Sequence, residues 1–163
     1  MATCSVTTTP AIKNVSMGQI EFGEGDTLLV AILGSCLGVT LHDARSGIGM
    51  MAHVVLPDSA GRATTLGKFA DTAIPHMVEI LAQHGVNLTA LKAKVVGGAC
   101  MFGNGGPLKI GESNVQAVTS TLRAMRIPVL AQDVGGSHGR RISFSCQDGR
   151  IQIERVGLSS KTI

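Results

Sequence analysis

A chain of 163 residues with 44% hydrophobic side chains has material for one domain with a substantial core, since domains of this size bury roughly 70% of their unfolded surface. Four Phe and neither Trp nor Tyr make that core aliphatic and argue against a base-stacking nucleic-acid platform. Fourteen basic against eleven acidic residues leave a charge of +3, too small and too scattered to indicate a polyanion partner.

No apolar stretch reaches the ~18 residues of a membrane span, and the opening MATCSVTTTPAIKNV lacks the charged start and apolar core of a signal peptide. A cytoplasmic protein with no membrane insertion and no nucleic-acid partner is expected. Cys4, Cys36, Cys100 and Cys146 are widely separated with no CxxC pair, so free thiols are expected, and neither a metal nor a cofactor.

Residues 1–12 are polar and Thr-rich and read as a flexible N-terminal tail, leaving a single domain over 13–163. Val15 to Phe22 reads as a strand. The turn cluster Gly23-Glu24-Gly25-Asp26 then leads into Leu28 to Leu33, an aliphatic, Gly-bounded run suited to a buried strand. Leu37 to Leu41 and Ile48 to Leu56 are predicted to pair as a hairpin about the turn from His42 to Gly47.

Leu66, Phe69, Ala70, Ala73, Ile74, Met77, Val78 and Leu81 recur at helical spacing, which predicts a helix over 66–84, closed by Gly85 and kinked by Pro75. Ala93 to Val96 is a short strand that runs into the glycine-rich 97–106. That loop matches neither a P-loop nor a dinucleotide fingerprint and reads as a tight turn with close backbone approach, placed to border a site. Ser113-Asn114-Val115-Gln116 has capping-box form and opens a second helix ending near Arg126. Val129 to Ala131, Arg141 to Ser145 and Ile151 to Val156 read as closing strands. Helices and strands in this order, without regular βαβ alternation, predict an α+β fold of packed mixed β-sheets covered by two main helices.

The chemistry concentrates between Leu28 and Pro57. Gly34-Ser35-Cys36 lies between two apolar runs, and a lone histidine, His53, falls in a third. A cysteine so placed is either a small buried hydrophobe or a nucleophile, which needs a nearby base such as His53. Cys100 and Cys146 lie next to turns and read as ordinary packing. His42 and His138 read as loop residues and His76 and His84 as solvated positions on the long helix. Asp133 with Arg140 and Arg141 suggests a receptor or partner surface.

Five blocks occur in a fixed order: LGSC at 33–36, MAHVVLP with its histidine seventeen residues after the cysteine, VVGGACMFG at 95–103, IGESNV at 110–115 and DVGG at 133–136. Together they resemble the CheD family of chemoreceptor glutamine deamidases over nearly the whole domain. The resemblance implies a fold similar to deamidating-toxin cysteine hydrolases. It also implies a protein-glutamine glutaminase acting on the chemoreceptor cytoplasmic domain, with Cys36 as nucleophile and His53 as general base. A further implied partner is CheC, a phosphatase of phosphorylated CheY.

The family usually carries a threonine in the strand entering LGSC, whereas this chain reads Leu29-Val30-Ala31-Ile32 there. Thr27 has the wrong strand parity to replace it and Thr40 lies beyond the cysteine. An orienter needs only to accept the second imidazole N–H, so a backbone carbonyl near Val30 or Ala31 is expected in its place.

A thiol is only a few per cent ionised at neutral pH, and lowering its pKa to about 6 takes roughly 3.4 kcal/mol, which a His53 imidazolium partner would supply. Attack on the glutamine carboxamide would release ammonia through a thioester, with backbone N–H groups of Ser35 and Cys36 as oxyanion donors. Two other readings share these residues: a non-catalytic adaptor regulating a CheC-type phosphatase, and a papain-like hydrolase or acyl transferase.

Overall fold

The computed structural model describes residues 9–62, 65–103 and 109–163. In chain order the elements are β1 (Ile12–Asn14), β2 (Ile20–Glu24), β3 (Leu28–Leu33), β4 (Leu37–Asp43), β5 (Ile48–Val54), α1 (Ala70–Gln83), β6 (Lys92–Gly97), α2 (Ile110–Ala124), β7 (Val129–Val134), β8 (Arg140–Ser145), β9 (Ile151–Glu154) and β10 (Lys161–Thr162). The class is α+β, as the pattern of the sequence predicts.

The strands form two five-stranded mixed sheets, a first ordered β1-β3-β8-β9-β10 and a second ordered β2-β5-β4-β6-β7. Each contains one parallel pair, β1 with β3 and β6 with β7, and the second of these is bridged by α2 as a single crossover unit.

Period-two alternation along β4 and β5 sorts their side chains between two cores. Leu37, Val39, Leu41, Met50, Ala52 and Val54 join one apolar cluster with Ala73, Ile74, Met77 and Leu81 of α1 and Val118 and Leu122 of α2. Cys36 and Met51 belong to the other, with Leu29, Ala31 and Leu33 of β3 and Ile142 and Phe144 of β8. The second sheet is therefore the central layer, with helices on one face and the first sheet on the other. The helices cover one sheet only.

Several local expectations change. Ile12, the last residue of the expected tail, opens β1, and residues 1–8 lie outside the described residues. Val15 to Phe22 is not one strand: a turn at Met17-Gly18, with Gly18 at φ +78°, separates β1 from β2. The helix expected from residue 66 begins at Ala70, because Phe69 is extended and bridges Leu56, leaving Leu66–Lys68 as a separate 3₁₀ turn. Pro75 lies inside the helical span, where its ring removes one backbone donor.

The second helix starts at Ile110, so Ser113 is inside the first turn, donating its N–H to the Lys109 carbonyl, and is not the cap. His42 is the penultimate residue of β4, half-buried, with Nε2 2.8 Å from the Cys146 carbonyl. His84 caps α1 and stacks on Phe22 at 4.2 Å. β10 is too short and too exposed to leave a periodic signal.

The two sheets approach closely because glycine occupies the facing positions of the second sheet. Gly23 and Gly49 are cross-strand partners. A Cβ on Gly49 would lie 2.6 Å from Cε1 of the fully buried Phe144, and one on Gly23 would lie 2.7 Å from Cys146 Sγ. Overfilling such a contact forces a buried ring to move, so Gly49→Ala is expected to lower unfolding stability by about 1–3 kcal/mol. Urea denaturation reads this as a lower midpoint at unchanged slope; an unchanged midpoint would contradict the tight contact.

Candidate active site

Gly34-Ser35-Cys36 is where the chain crosses from one sheet to the other. Leu33 pairs with Arg140 in the first sheet, while Leu37 pairs with Val54 and Gly97 in the second. Three residues make this step, too few to satisfy their own backbone groups, so neighbouring segments do it.

All three carbonyls are anchored. Ala99 N–H donates to Gly34 O and Gly98 N–H to Cys36 O, each at 2.9 Å, and the Asn114 side-chain amide donates to Ser35 O at 3.1 Å. Among the described residues, neither the Ser35 nor the Cys36 N–H donates to a backbone carbonyl. The loop therefore directs its acceptors into the protein and, among the described residues, leaves two successive donors without a backbone acceptor.

Glycine is required opposite this crossing. Gly97 has φ +117° and Gly98 φ +67°, conformations that L side chains rarely adopt, and a Cβ on Gly97 would collide with the Cys36 carbonyl oxygen. Gly111, in the first turn of α2, is equally constrained, since its Cβ would lie 2.5 Å from Gly98 O.

Behind the Gly97-Gly98 turn sits Arg140, 4% exposed. Its Nε meets Asp133 Oδ1 at 2.7 Å, and its Nη groups donate to the carbonyls of Gly97, Gly135 and His138. Burial pushes the Asp133 carboxyl up, but the hydrogen bonds and charges of Arg140 and Lys161 outweigh it and hold it below the ordinary carboxylate range. Asp133 and Arg140 thus buttress the loop from inside and do not form the surface expected of them; only Arg141 is solvent-facing, against Glu154.

His53 is opposite Gly38 in the β4–β5 ladder. Alternation therefore places its side chain on the face shared by Met51 and Cys36, toward the first sheet. The imidazole is 3% exposed, with Nδ1 2.9 Å from the Val15 carbonyl. Its backbone is held as well, His53 N–H on Gln19 O and Gly18 N–H on His53 O.

The carbonyl beside Nδ1 is that of Val15 and not that of Val30. Val30 O is already taken by Val15 N–H at 2.8 Å, so the Val15 peptide stands between β3 and the ring. Thr27 and Thr40 are engaged elsewhere, on Glu24 O and Lys94 O. Because a carbonyl only accepts, Nδ1 carries the proton and Nε2 presents its lone pair. Nε2 is buried and has no hydrogen-bond partner among the described residues.

The electrostatics differ from the expected imidazolium–thiolate pair. Burial pushes the Cys36 thiol up, against a smaller opposing effect of its own backbone N–H. Burial pushes the His53 imidazole down, against a smaller opposing effect of the Val15 carbonyl. Both groups are neutral at neutral pH, and no hydrogen bond joins them. Low dielectric penalises each charge, and among the described residues no third charge offsets that penalty.

A cavity of about 500 Å³ opens beside Ser35, walled by the 98–103 loop, the first turn of α2 and Gly135-Gly136. Its rim carries Phe102, almost fully exposed, and Met101. Cys100 is exposed in its wall, whereas Cys146 is buried away from it with its thiol pushed up to about 11 by desolvation. Residues 104–106 of the expected glycine-rich border lie outside the described residues, as does Cys4. No cluster of His, Cys, Asp or Glu suited to a metal occurs among the described residues.

Asn114 and the Val15 carbonyl have no sequence-level signal as site elements, since one looks like part of a helix cap and the other like an ordinary strand residue. The blocks around 95–103, 110–115 and 133–136 do carry a signal, and all three meet the Gly34–Cys36 crossing or its support.

A raised thiol pKa slows thiolate chemistry at neutral pH. In the protein alone, iodoacetamide at about pH 7 is expected to label the exposed Cys100 before Cys36, with the Cys36 rate still rising above the ordinary thiol pKa of about 8.5. Peptide mass spectrometry measures both. A Cys36 rate already level near neutrality would mean a preformed thiolate.

The family model described as CheD chemotactic sensory transduction matches residues 55–155, more than half of the chain. A protein of Clostridium botulinum strain Hall named probable chemoreceptor glutamine deamidase CheD is 39% identical over 160 residues, covering 93% of this chain and 99% of that protein. The Thermotoga maritima protein named chemoreceptor glutamine deamidase CheD is 38% identical over 146 residues, covering 89% and 92% respectively. Among solved structures, a Bacillus licheniformis hypothetical protein, YfiH, superposes with a TM-score of 0.48 at 12% identity, over 80% of this chain and 61% of that one. With relatives this similar over nearly their full length, the chain belongs to the CheD family.

Proposed function

We propose that this protein is a cytoplasmic protein-glutamine deamidase that converts glutamine side chains of chemoreceptors to glutamate with release of ammonia, using Cys36 as nucleophile and His53 as base. The substrate class follows from the names of the full-length relatives. The observation that carries the residue assignment is the buried, unpartnered Nε2 of His53 on the sheet face that also holds Cys36.

With both groups neutral at rest, proton transfer accompanies attack. Nε2 takes the thiol proton as sulfur bonds to the glutamine carboxamide carbon, and the carbonyl oxygen gathers negative charge between the N–H groups of Ser35 and Cys36, neither of which donates to a backbone carbonyl among the described residues. Proton return from the imidazolium to the amide nitrogen expels ammonia and leaves a thioester. Water, deprotonated by Nε2, then adds to the thioester carbon; the C–S bond breaks, glutamate leaves and the thiol recovers its proton.

The lowered His53 pKa keeps the base free under mildly acidic conditions, and the Val15 carbonyl stabilises the transient imidazolium. The Cys36 thiol and His53 Nε2 share no hydrogen bond in the unliganded protein, and catalytic hydrogen bonds commonly form or tighten only with substrate. The cavity beside Ser35 and its apolar rim offer a surface for the receptor segment that carries the glutamine.

A second reading, a non-catalytic adaptor for a CheC-type phosphatase, draws on one observation: burial pushes the Cys36 thiol up, and no hydrogen bond joins it to His53 Nε2. Mass spectrometry of a receptor cytoplasmic fragment separates the two. Wild-type protein is expected to convert Gln to Glu; Cys36→Ala should lose essentially all conversion and His53→Ala about 10²–10⁴-fold. Absence of conversion by wild type favours the adaptor, and conversion that survives Cys36→Ala removes the nucleophile assignment.

A further inference from the structure

Asn114 is fully buried in α2, where asparagine is a poor helix former and an unsatisfied amide is costly. Its Nδ2 donates to two backbone carbonyls, Ser35 O at 3.1 Å and Val55 O at 3.0 Å, while its Oδ1 is buried with no partner among the described residues. A residue kept only for packing would be apolar here.

The two carbonyls belong to the two segments that carry the proposed catalytic pair. Ser35 immediately precedes Cys36, and Val55 follows His53 by two residues. The β4–β5 ladder ends at Leu37 and Val54, so Cys36 and Val55 lie just beyond it. Two carbonyls cannot bond each other; only a group with two donors bridges them, and the carboxamide NH₂ is such a group. Asn114 thus staples the strands together at the point where backbone pairing stops.

We propose that Asn114 is a positioning residue for deamidation, fixing the Cys36 loop against the His53-bearing end of β5 so that sulfur and Nε2 meet over the substrate carboxamide. This rests on the Cys36–His53 reading above. It goes beyond it in placing the control of their geometry on a side chain from a third element that hydrogen-bonds to Ser35 and Val55 and to neither reacting group.

The substitutions Asn114→Leu and Asn114→Asp test it on the full chain with the receptor fragment. Leucine fills similar space but donates nothing, so kcat is expected to fall about 10²-fold, as for a misplaced reacting pair, with KM within about threefold of wild type, since the cavity walls are untouched. Aspartate donates one bond only when protonated, and its carboxylate repels both carbonyls. Its kcat relative to wild type is therefore expected to rise as pH falls, whereas that of the leucine variant is not.

Circular dichroism establishes that each variant is folded at the assay temperature; should leucine prevent folding, the pH profile of the aspartate variant decides. Unchanged kcat in Asn114→Leu, a loss confined to KM, or an Asn114→Asp profile parallel to wild type overturns the positioning role alone. Deamidation that persists in Cys36→Ala overturns the underlying nucleophile reading and the positioning role with it.

Discussion

Three consecutive carbonyls, those of Gly34, Ser35 and Cys36, are each held by a donor from elsewhere in the chain. The rest of the candidate site depends on this. A crossing of three residues between two packed sheets has no backbone ladder of its own, and a buried carbonyl left without a donor is expensive. Meeting that demand holds Gly97 and Gly98 in conformations that favour glycine, brings the start of α2 against them through Gly111, and places Arg140 and Asp133 behind them. The outcome is a loop whose acceptors are spent and whose Ser35 and Cys36 N–H groups have no backbone acceptor among the described residues, the polarity that suits a developing oxyanion.

Burial does the opposite for the proposed reacting groups. It raises the Cys36 thiol and lowers the His53 imidazole, so neither charge is present at rest. A site built this way keeps its thiol protonated until a substrate arrives, and relies on a correctly directed neutral imidazole instead of a standing ion pair. Direction is what the Val15 carbonyl supplies: by accepting from Nδ1 it selects the tautomer with a bare Nε2. The same service is commonly given by a side-chain hydroxyl, which the strand Leu28–Leu33 does not offer, and a peptide carbonyl performs it without adding a charge.

Close sheet packing connects these features. Gly23, Gly38 and Gly49 on the second sheet face Phe144, Ile142 and Cys146 with no room for a methyl group. That allows His53, opposite Gly38, to lie between the layers, where its ring is desolvated. Its lowered pKa follows from that desolvation.

Much of this was legible in the chain itself. Leu28–Leu33 and the hairpin of β4 and β5 follow from local apolar patterning and turn residues. That hairpin register is what puts Cys36 and His53 on one face, because parity within a two-strand unit is a local property. Helix boundaries were less legible: Phe69 leaves the helical pattern to bridge Leu56, and Ser113 is carried into α2 by packing at Gly111. Other assignments needed the tertiary structure. Val15 stands where Val30 was expected, Asp133 and Arg140 turn inward, and Asn114 is a staple in place of a cap neighbour, each through contacts between residues far apart in sequence. The sequence by itself determined which residues are proposed to bear the chemistry and which strands lie beside them, since those are set by neighbours along the chain. Which carbonyl meets the imidazole, which amide ties the two strands, and the charge state of the pair were decided only when the two sheets and α2 packed together, because hydrogen-bond partners and desolvation are properties of the assembled interior.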